Sequence, residues 1–492
     1  MNYRMISQLC LGIVLTGMAS LSAEDWNQWR GPNRDGSLVD SVPLRDDFTG
    51  AALEPLWITE AIPSARGGGW SSPVVSGGNV YLFTHSKQVK EGVEIPKRQY
   101  PYLSPDKRVG MSKEEYEQYE VNRRDEGERI GSLYEYVESL HCIDAMTGVT
   151  KWTYDAPSVY TRFPQSGSPA IIDGKAYILG AGRYARCIDA ESGELIWETK
   201  MPGEFRDEFL MSSFAVADGV AVVLCSRLFG LDTEDGEILW EGDEQKTKGT
   251  HTSPVVWEHN GQAYIIINVQ GSDTACYLPK TGEELWRVKS EANLSTPIVV
   301  KDRLLTYGNS RKKGLRCYQL SPEGAEHLWT YNGLADKGSS PVVVGNFVYV
   351  QGERRLACVN LETGDDEWTT LLDLAKPQYT SLIAADNKVF YALDGLLIFE
   401  ATPERFTPIL QAKFNKKGLV ASEDYFRESL GINDLGDSAD DRKEALRIYE
   451  NAVGKQGPLA CSTPAISNGK IYIRLRDQLV CYDLSSPDLA QN

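Results

Sequence analysis

Histidine is scarce in this chain. The five in 492 residues are His85, His141, His251, His259 and His327. No two stand in His-x-x-x-His or His-Glu-x-x-His spacing, which excludes the common helical zinc sites. There is no Cys-x-x-Cys-His for c-type haem attachment and no Gly-x-Ser-x-Gly elbow for a serine nucleophile. Gly67-Gly68-Gly69 precedes a strand pattern rather than a helix, so it is not a phosphate-cradling loop. Positive charge is also short, with 51 Lys and Arg against 69 Asp and Glu, a net charge of −18 and a pI near 4.9. That balance opposes counterion-release binding and argues against nucleic acid as a partner. Beyond the N-terminus no apolar run is long enough to span a bilayer.

The N-terminus itself reads as an export signal. Arg4 precedes an apolar stretch from Leu9 to Met18, and the small residues Ser20-Leu21-Ser22-Ala23 follow. Residues 1–23 are therefore expected to be a signal peptide and 24–492 the mature protein, exported to the periplasm or the extracellular space. Ser7-Gln8-Leu9 before Cys10 does not make a lipoprotein box.

What recurs in the chain is a repeat. One copy reads Gly167-Ser168-Pro169, then apolar Ala176 to Leu179, Cys187-Ile188-Asp189, Ser192-Gly193 and Trp197. The turn glycines Gly148, Gly193, Gly236, Gly282, Gly324 and Gly364 are 40 to 46 residues apart. A period of about 40–45 residues holding four short strands is the size of one propeller blade. Asx-Gly pairs at Asp173-Gly174, Asp218-Gly219, Asn260-Gly261 and Asn468-Gly469 mark the first hairpin of a unit. Inner strands are expected to start at Pro73, Pro169, Phe214, Pro254, Pro297, Pro341, Leu382 and Pro464, which makes eight blades. The last lacks an outer strand, and Leu53-Glu54-Pro55-Leu56-Trp57 is expected to supply it and close the ring. The fold class is thus all-β, an eight-bladed β-propeller of four-stranded antiparallel blades. Cys142, Cys187, Cys276, Cys317, Cys358 and Cys481 share one repeat position, so they read as small buried hydrophobes in separate blades rather than disulfide partners. Cys225 and Cys461 lie off that register.

The motif best seen at Cys142-Ile143-Asp144, Thr147-Gly148 and Trp152 resembles the Trp-docking repeat of pyrroloquinoline-quinone-like β-propellers. Trp26-Asn27-Gln28-Trp29-Arg30-Gly31-Pro32, with Arg34-Asp35-Gly36, is similar to the opening of secreted bacterial members of that family. The resemblance covers nearly the whole chain outside two insertions. It implies structural docking roles for Trp152, Trp197, Trp240, Trp286, Trp329 and Trp368. It also leaves two functions open, because the family holds both quinoprotein dehydrogenases and non-enzymatic outer-membrane assembly scaffolds. Quinoproteins of this kind use pyrroloquinoline quinone, calcium, an Asp base and often an adjacent Cys-Cys pair. No adjacent cysteines occur here, and Asp144, Asp189, Asp232 and Asp483 sit in turn positions.

Two excursions interrupt the repeat, at about 86–137 and 414–457. Ser112-Lys113-Glu114-Glu115 is a capping box opening a helix through about Arg129. Ser438-Ala439-Asp440-Asp441 precedes a second helix with apolar Ala445, Leu446, Ile448 and Tyr449 at helical spacing, expected to be a lid on its own domain. Loops entering the inner strands carry Arg66, Arg162, Arg206, Lys248, Lys337 and Lys455, with His251 and Tyr379 nearer the strands. They suggest an electropositive funnel at the channel mouth for an anionic small ligand or an acidic peptide, set against the simpler reading of ordinary surface ion pairs. Exposed Trp70, Tyr100, Tyr102 and Tyr160 would suit carbohydrate. No catalytic residue and no metal ligand is nominated. The expected function is a non-catalytic scaffold in the cell envelope that binds envelope or extracellular proteins and carries no cofactor. The alternative is a quinone- and calcium-dependent dehydrogenase of alcohols or sugars.

Overall fold

Each Asx-Gly pair forms the turn its residues demand. At Asp173-Gly174 both φ angles are positive, 51° and 74°, the geometry that lets a two-residue loop follow the twist of its hairpin. In the computed structural model, which describes residues 25–48, 52–203, 210–269, 272–292, 294–373, 379–453 and 457–487, these hairpins build eight sheets. The inner strands are Val74–Ser76, Ala170–Ile172, Ala215–Ala217, Val255–His259, Ile298–Val300, Val342–Val344, Ile383–Ala385 and Ala465–Ser467. Each begins one residue after the start position read from sequence. The chain is an eight-bladed β-propeller, and its last blade is completed by Trp57–Ile58, paired antiparallel with Leu479–Asp483. The expected signal peptide lies outside the described residues.

The core lies between blades. Tyr177, Leu179, Cys187 and Trp197 of the second blade pack with Phe214, Val223, Phe229 and Leu231 of the third. This sandwiching explains the recurring cysteine. In the first, second and sixth blades the cysteine faces Tyr on one side and Trp on the other, as in Tyr81–Cys142–Trp152 and Tyr177–Cys187–Trp197. The flanking rings close to 6.0–6.1 Å between centroids, so only a small side chain fits beneath them. The six in-register cysteines are buried thiols with no disulfide among them, and burial pushes Cys142 up to about 11 and Cys187 up to about 12.

Blades are joined by indole docking. The Nε1–H of Trp152 donates to Glu191 O at 2.9 Å, Trp197 to Thr233 O at 3.1 Å, Trp240 to Pro279 O at 2.7 Å, and Trp329 to Leu361 O at 2.8 Å. Trp368 continues the series onto Thr402 O at 2.9 Å. Trp286 departs from it: its buried Nε1–H has no hydrogen-bond partner among the described residues. The reason is local. The following blade turns through Ser321 and Gly324 inside a continuous hairpin, and a β-carbon on Gly324 would meet nothing within 4 Å, so no indole lies over it.

Both excursions leave the same face of the ring. Antiparallel order puts the loops entering inner strands and the loops between second and third strands at one end, and the Asx-Gly and Thr-Gly turns at the other. The first excursion joins Asn79–Val89 to Tyr134–Asp144, whose ladder runs on to Val89↔Tyr134. It contains α1 (Lys113–Gly131), opened by the expected capping box of Ser112 and Glu115. The second follows the outer strand Pro408–Phe414 and carries α2 (Glu423–Ser429) and α3 (Ala439–Ala452), the latter capped by Ser438 and Asp441. Tyr449 and Ala452 of α3 pack on the small cluster around Phe426 and Val453, while Leu446 stays 57% exposed.

Candidate functional site

The channel is filled by the chain's own N-terminal segment. Asp25 anchors it at the far face, accepting from Ser76 Oγ at 2.8 Å and from the Gly77 N–H at 3.1 Å. Trp26 O then accepts the Val75 N–H at 2.9 Å, and Asn27 O accepts the Ile171 N–H at 2.7 Å. Arg34 is fully buried and donates to Ser213 O at 3.1 Å, Pro254 O at 2.8 Å, Phe214 O, and Gln28 Oε1 at 2.7 Å. Arg30, also buried, donates to Pro341 O at 2.6 Å, Asp35 O at 3.0 Å and Leu382 O at 3.2 Å. Ser37–Leu38 adds in parallel to Ala384–Ala385. Burial pushes both guanidiniums down to about 9, and the carbonyl dipoles of the inner strands supply the solvation that water would otherwise give. The Trp-Asn-Gln-Trp-Arg-Gly-Pro motif, with Arg34 after it, is therefore a channel plug bonded to six blades.

Above the plug lies the channel mouth, with Trp29 among its lining residues. A ring of hydroxyls closes the inner strands against one another there. The Ser72 N–H donates to Ser168 Oγ at 2.9 Å, Ser168 to Ser213 Oγ at 2.9 Å, Ser213 to Ser253 Oγ at 3.0 Å, and Ser253 to Thr296 Oγ1 at 3.1 Å. Ser340 donates to Ser381 Oγ at 3.0 Å, and Thr463 donates to Ser72 Oγ at 2.8 Å. An inner strand has no sheet partner on its axial side, so its first N–H needs an acceptor from the adjacent blade. A short hydroxyl supplies it. That requirement selects Ser or Thr, a signal present at all eight positions but read from sequence only as small size.

The mouth also tests the quinone reading. Its cavity is about 70 Å³, against the several hundred that a cofactor site needs. Its lining is hydroxyls and apolar or aromatic side chains with His251, Tyr379 and Cys461, and among the described residues no carboxylate or amide side chain lines it. Among the described residues no group of three or more His, Cys, Asp or Glu side chains converges for a metal. The described residues at the mouth do not fit a quinone held with calcium.

The basic residues named from sequence do not form one ring. His251 and Tyr379 line the mouth; burial lowers the His251 imidazole and raises the Tyr379 hydroxyl. Arg66 and Arg162 lie off axis, their guanidiniums 5.5 and 5.9 Å from the Phe163 ring centre. Lys248 and Lys337 are exposed and line neither cavity. Arg206 and Lys455 fall outside the described residues. Around Arg66 and Arg162 the structure adds Arg98 from the first excursion and Arg123 and Arg124 from α1, enclosing about 380 Å³. Sequence reading missed these three because only the folded excursion brings them against the loops. Of the aromatics suggested for carbohydrate, Tyr102 and Tyr160 line this cavity, Trp70 lines the mouth, and Tyr100 packs edge-on against Tyr119 at 5.4 Å.

The repeat matches a known family. A family model described as the outer membrane protein assembly factor BamB matches residues 136–370 and 270–404, together over half of the chain. The chain belongs to this family of pyrroloquinoline-quinone-like β-propellers. Within it, the outer membrane protein assembly factor BamB of Shewanella oneidensis is 26% identical over 244 residues, 47% of this chain and 53% of that protein, so the chain spans about half the length of this relative. Solved propellers are similar in shape. The quinohemoprotein alcohol dehydrogenase of Comamonas testosteroni has a TM-score of 0.56 at 11% identity, covering 94% of this chain and 81% of that one. A europium-containing methanol dehydrogenase has a TM-score of 0.55 at 10% identity, covering 94% and 98%. At such identities the likeness is one of fold alone.

Proposed function

We propose that this PQQ-like propeller is a non-catalytic, exported scaffold of the cell envelope, periplasmic or extracellular, that binds protein partners through the face carrying its two excursions and uses no cofactor. The observation that carries the reading is the plug. Residues 26–36 occupy the channel, and what remains above them is a small hydroxyl- and aromatic-lined bowl where, among the described residues, no metal-binding set converges. The same face carries exposed apolar side chains, Val109 at 85% and Tyr102 at 64%, of the kind that anchor partners. The relative named for outer-membrane assembly supports the same class of role across the half of its length that aligns.

Photocrosslinking in living cells tests it. A crosslinking side chain at Val109 or Leu446 is expected to give adducts with envelope proteins, whereas one at Met146, on the opposite face, gives none. Equal labelling from both faces, or none, overturns the proposal. So does tight, calcium-dependent binding of pyrroloquinoline quinone by calorimetry, which would restore the dehydrogenase.

A further inference from the structure

The off-axis cavity is a local reversal of charge. The chain carries a net charge of −18, yet among the described residues five arginines and no carboxylate line this space of about 380 Å³. Of the five, Arg123 is ion-paired with Glu120 at 2.6 Å. Arg66, Arg98 and Arg124 make no ion pair among the described residues. Two buried or half-buried carboxylates of α1 have partners: Glu120 holds Arg123, and Glu126 accepts the N–H groups of Gln99 and Tyr100 at 2.7 and 2.9 Å. The field is felt nearby, because the Lys87 ammonium is pushed down by burial and then by Arg98 and Arg66.

The walls are fixed. Tyr160 seats in a notch on α1, where a β-carbon at Gly127 would come within 2.7 Å of its hydroxyl and one at Gly131 within 2.4 Å of its ring. That contact holds the helix, and with it Arg123 and Arg124, against the loop carrying Arg162. Guanidiniums offer planar, paired donors matched to oxyanions, and Arg66 and Arg162 are oriented against the Phe163 ring. Tyr102, Tyr160 and Phe163 add aromatic faces between the charges. The volume is that of a small-ligand site.

We infer that this cavity binds a sugar carrying two or more phosphate groups, with the arginines taking the phosphates and the aromatic rings taking the sugar. The site is distinct from the channel mouth and does not rest on the scaffold reading. A phosphorylated sugar can arrive free or as a lipid headgroup, and the chemistry recognised is the same.

The test is calorimetry on the mature protein with fructose bisphosphate, with fructose as the uncharged control. Fructose bisphosphate is expected to bind at one site with an affinity that falls as salt rises, and fructose not to bind. Arg98→Ser with Arg124→Ser, both exposed side chains, should weaken binding roughly tenfold or more, with an unchanged melting temperature. Lys248→Ser with Lys337→Ser removes as much charge elsewhere and should leave binding intact. Co-sedimentation with phosphatidylcholine vesicles containing phosphatidylinositol bisphosphate, lost in the double arginine variant, assigns a lipid-borne source; soluble binding without co-sedimentation assigns a free one. No binding of fructose bisphosphate, or equal losses in the arginine and lysine variants, overturns the inference.

Discussion

The indole of Trp57 lies over Gly148, so close that a β-carbon there would come within 2.7 Å of its ring, and its Nε1–H donates to Ala145 O at 3.0 Å. The strand that closes the propeller thus uses the same docking that joins the interior blades. Ring closure is one more copy of the repeat, supplied from the other end of the chain.

Trp329 and Trp286 occupy equivalent positions but should respond differently to loss of the indole N–H. Trp329→Phe breaks a 2.8 Å bond and leaves Leu361 O without its donor, whereas Trp286→Phe removes an N–H that has no partner among the described residues. Trp329→Phe is expected to cost at least about 1 kcal/mol more, read from guanidinium unfolding midpoints. Equal costs would deny the docking bond any net value.

Gly193 and Gly174 separate backbone strain from steric contact. Both have positive φ, 79° and 74°, but a β-carbon at Gly193 meets the Trp152 ring at 2.7 Å while one at Gly174 meets nothing within 4 Å. Gly174→Ala should cost about 1 kcal/mol from conformation alone. Gly193→Ala should cost a further 1–3 kcal/mol or so as the blades are pushed apart, and the difference between the two melting curves measures that contact.

The plug predicts a large effect from one arginine. Arg34→Met leaves the carbonyls of Ser213, Phe214 and Pro254 without their donor. A loss of at least about 3 kcal/mol is expected, from several buried acceptors at about 1–3 kcal/mol each. Arg34→Lys should not restore it, because a single ammonium cannot reproduce the spread of the guanidinium fork. Hydrogen exchange at residues 26–36 should accelerate in both variants, and unchanged exchange would mean the segment is held by other contacts.

His85 sets a pH dependence. Its Nδ1 accepts the Gln165 N–H at 2.8 Å, and burial lowers the imidazole from 6.5 to about 4. Below pH 6.5 the unfolded chain takes up a proton that the native state refuses until about pH 4. Native stability from this group therefore falls as pH falls across that window, by up to about 3 kcal/mol. His85→Asn cannot titrate. Its deficit relative to the parent protein, measured by urea unfolding at stepped pH, should shrink by that amount between neutral pH and pH 4; a constant deficit would place the imidazole in water.

What was legible in the sequence follows from what is local. The Asx-Gly turns, the Ser/Thr-Pro strand starts, the capping boxes at Ser112 and Ser438 and the small residue between Tyr and Trp each answer a constraint met within one blade or its neighbour. Repetition of these answers determined the eight-bladed fold and the closing strand. Trp286 marks where the pattern misled, since its repeat position is unchanged and only the hairpin of the next blade removes its acceptor.

The plug and the off-axis cavity obey no local rule. Arg30 bonds Leu382 and Arg34 bonds Pro254, pairs that become neighbours only when the ring has closed around the N-terminal segment. Arg66 and Arg162 are recognisable as basic loop residues, yet they form a cavity only because α1 folds back and seats Tyr160 against Gly127 and Gly131. Sequence alone determined the blade and its number, because turn chemistry and strand period act over a few residues. Tertiary structure decided that the channel is plugged and that the arginines converge off its axis, because those contacts depend on packing between distant segments.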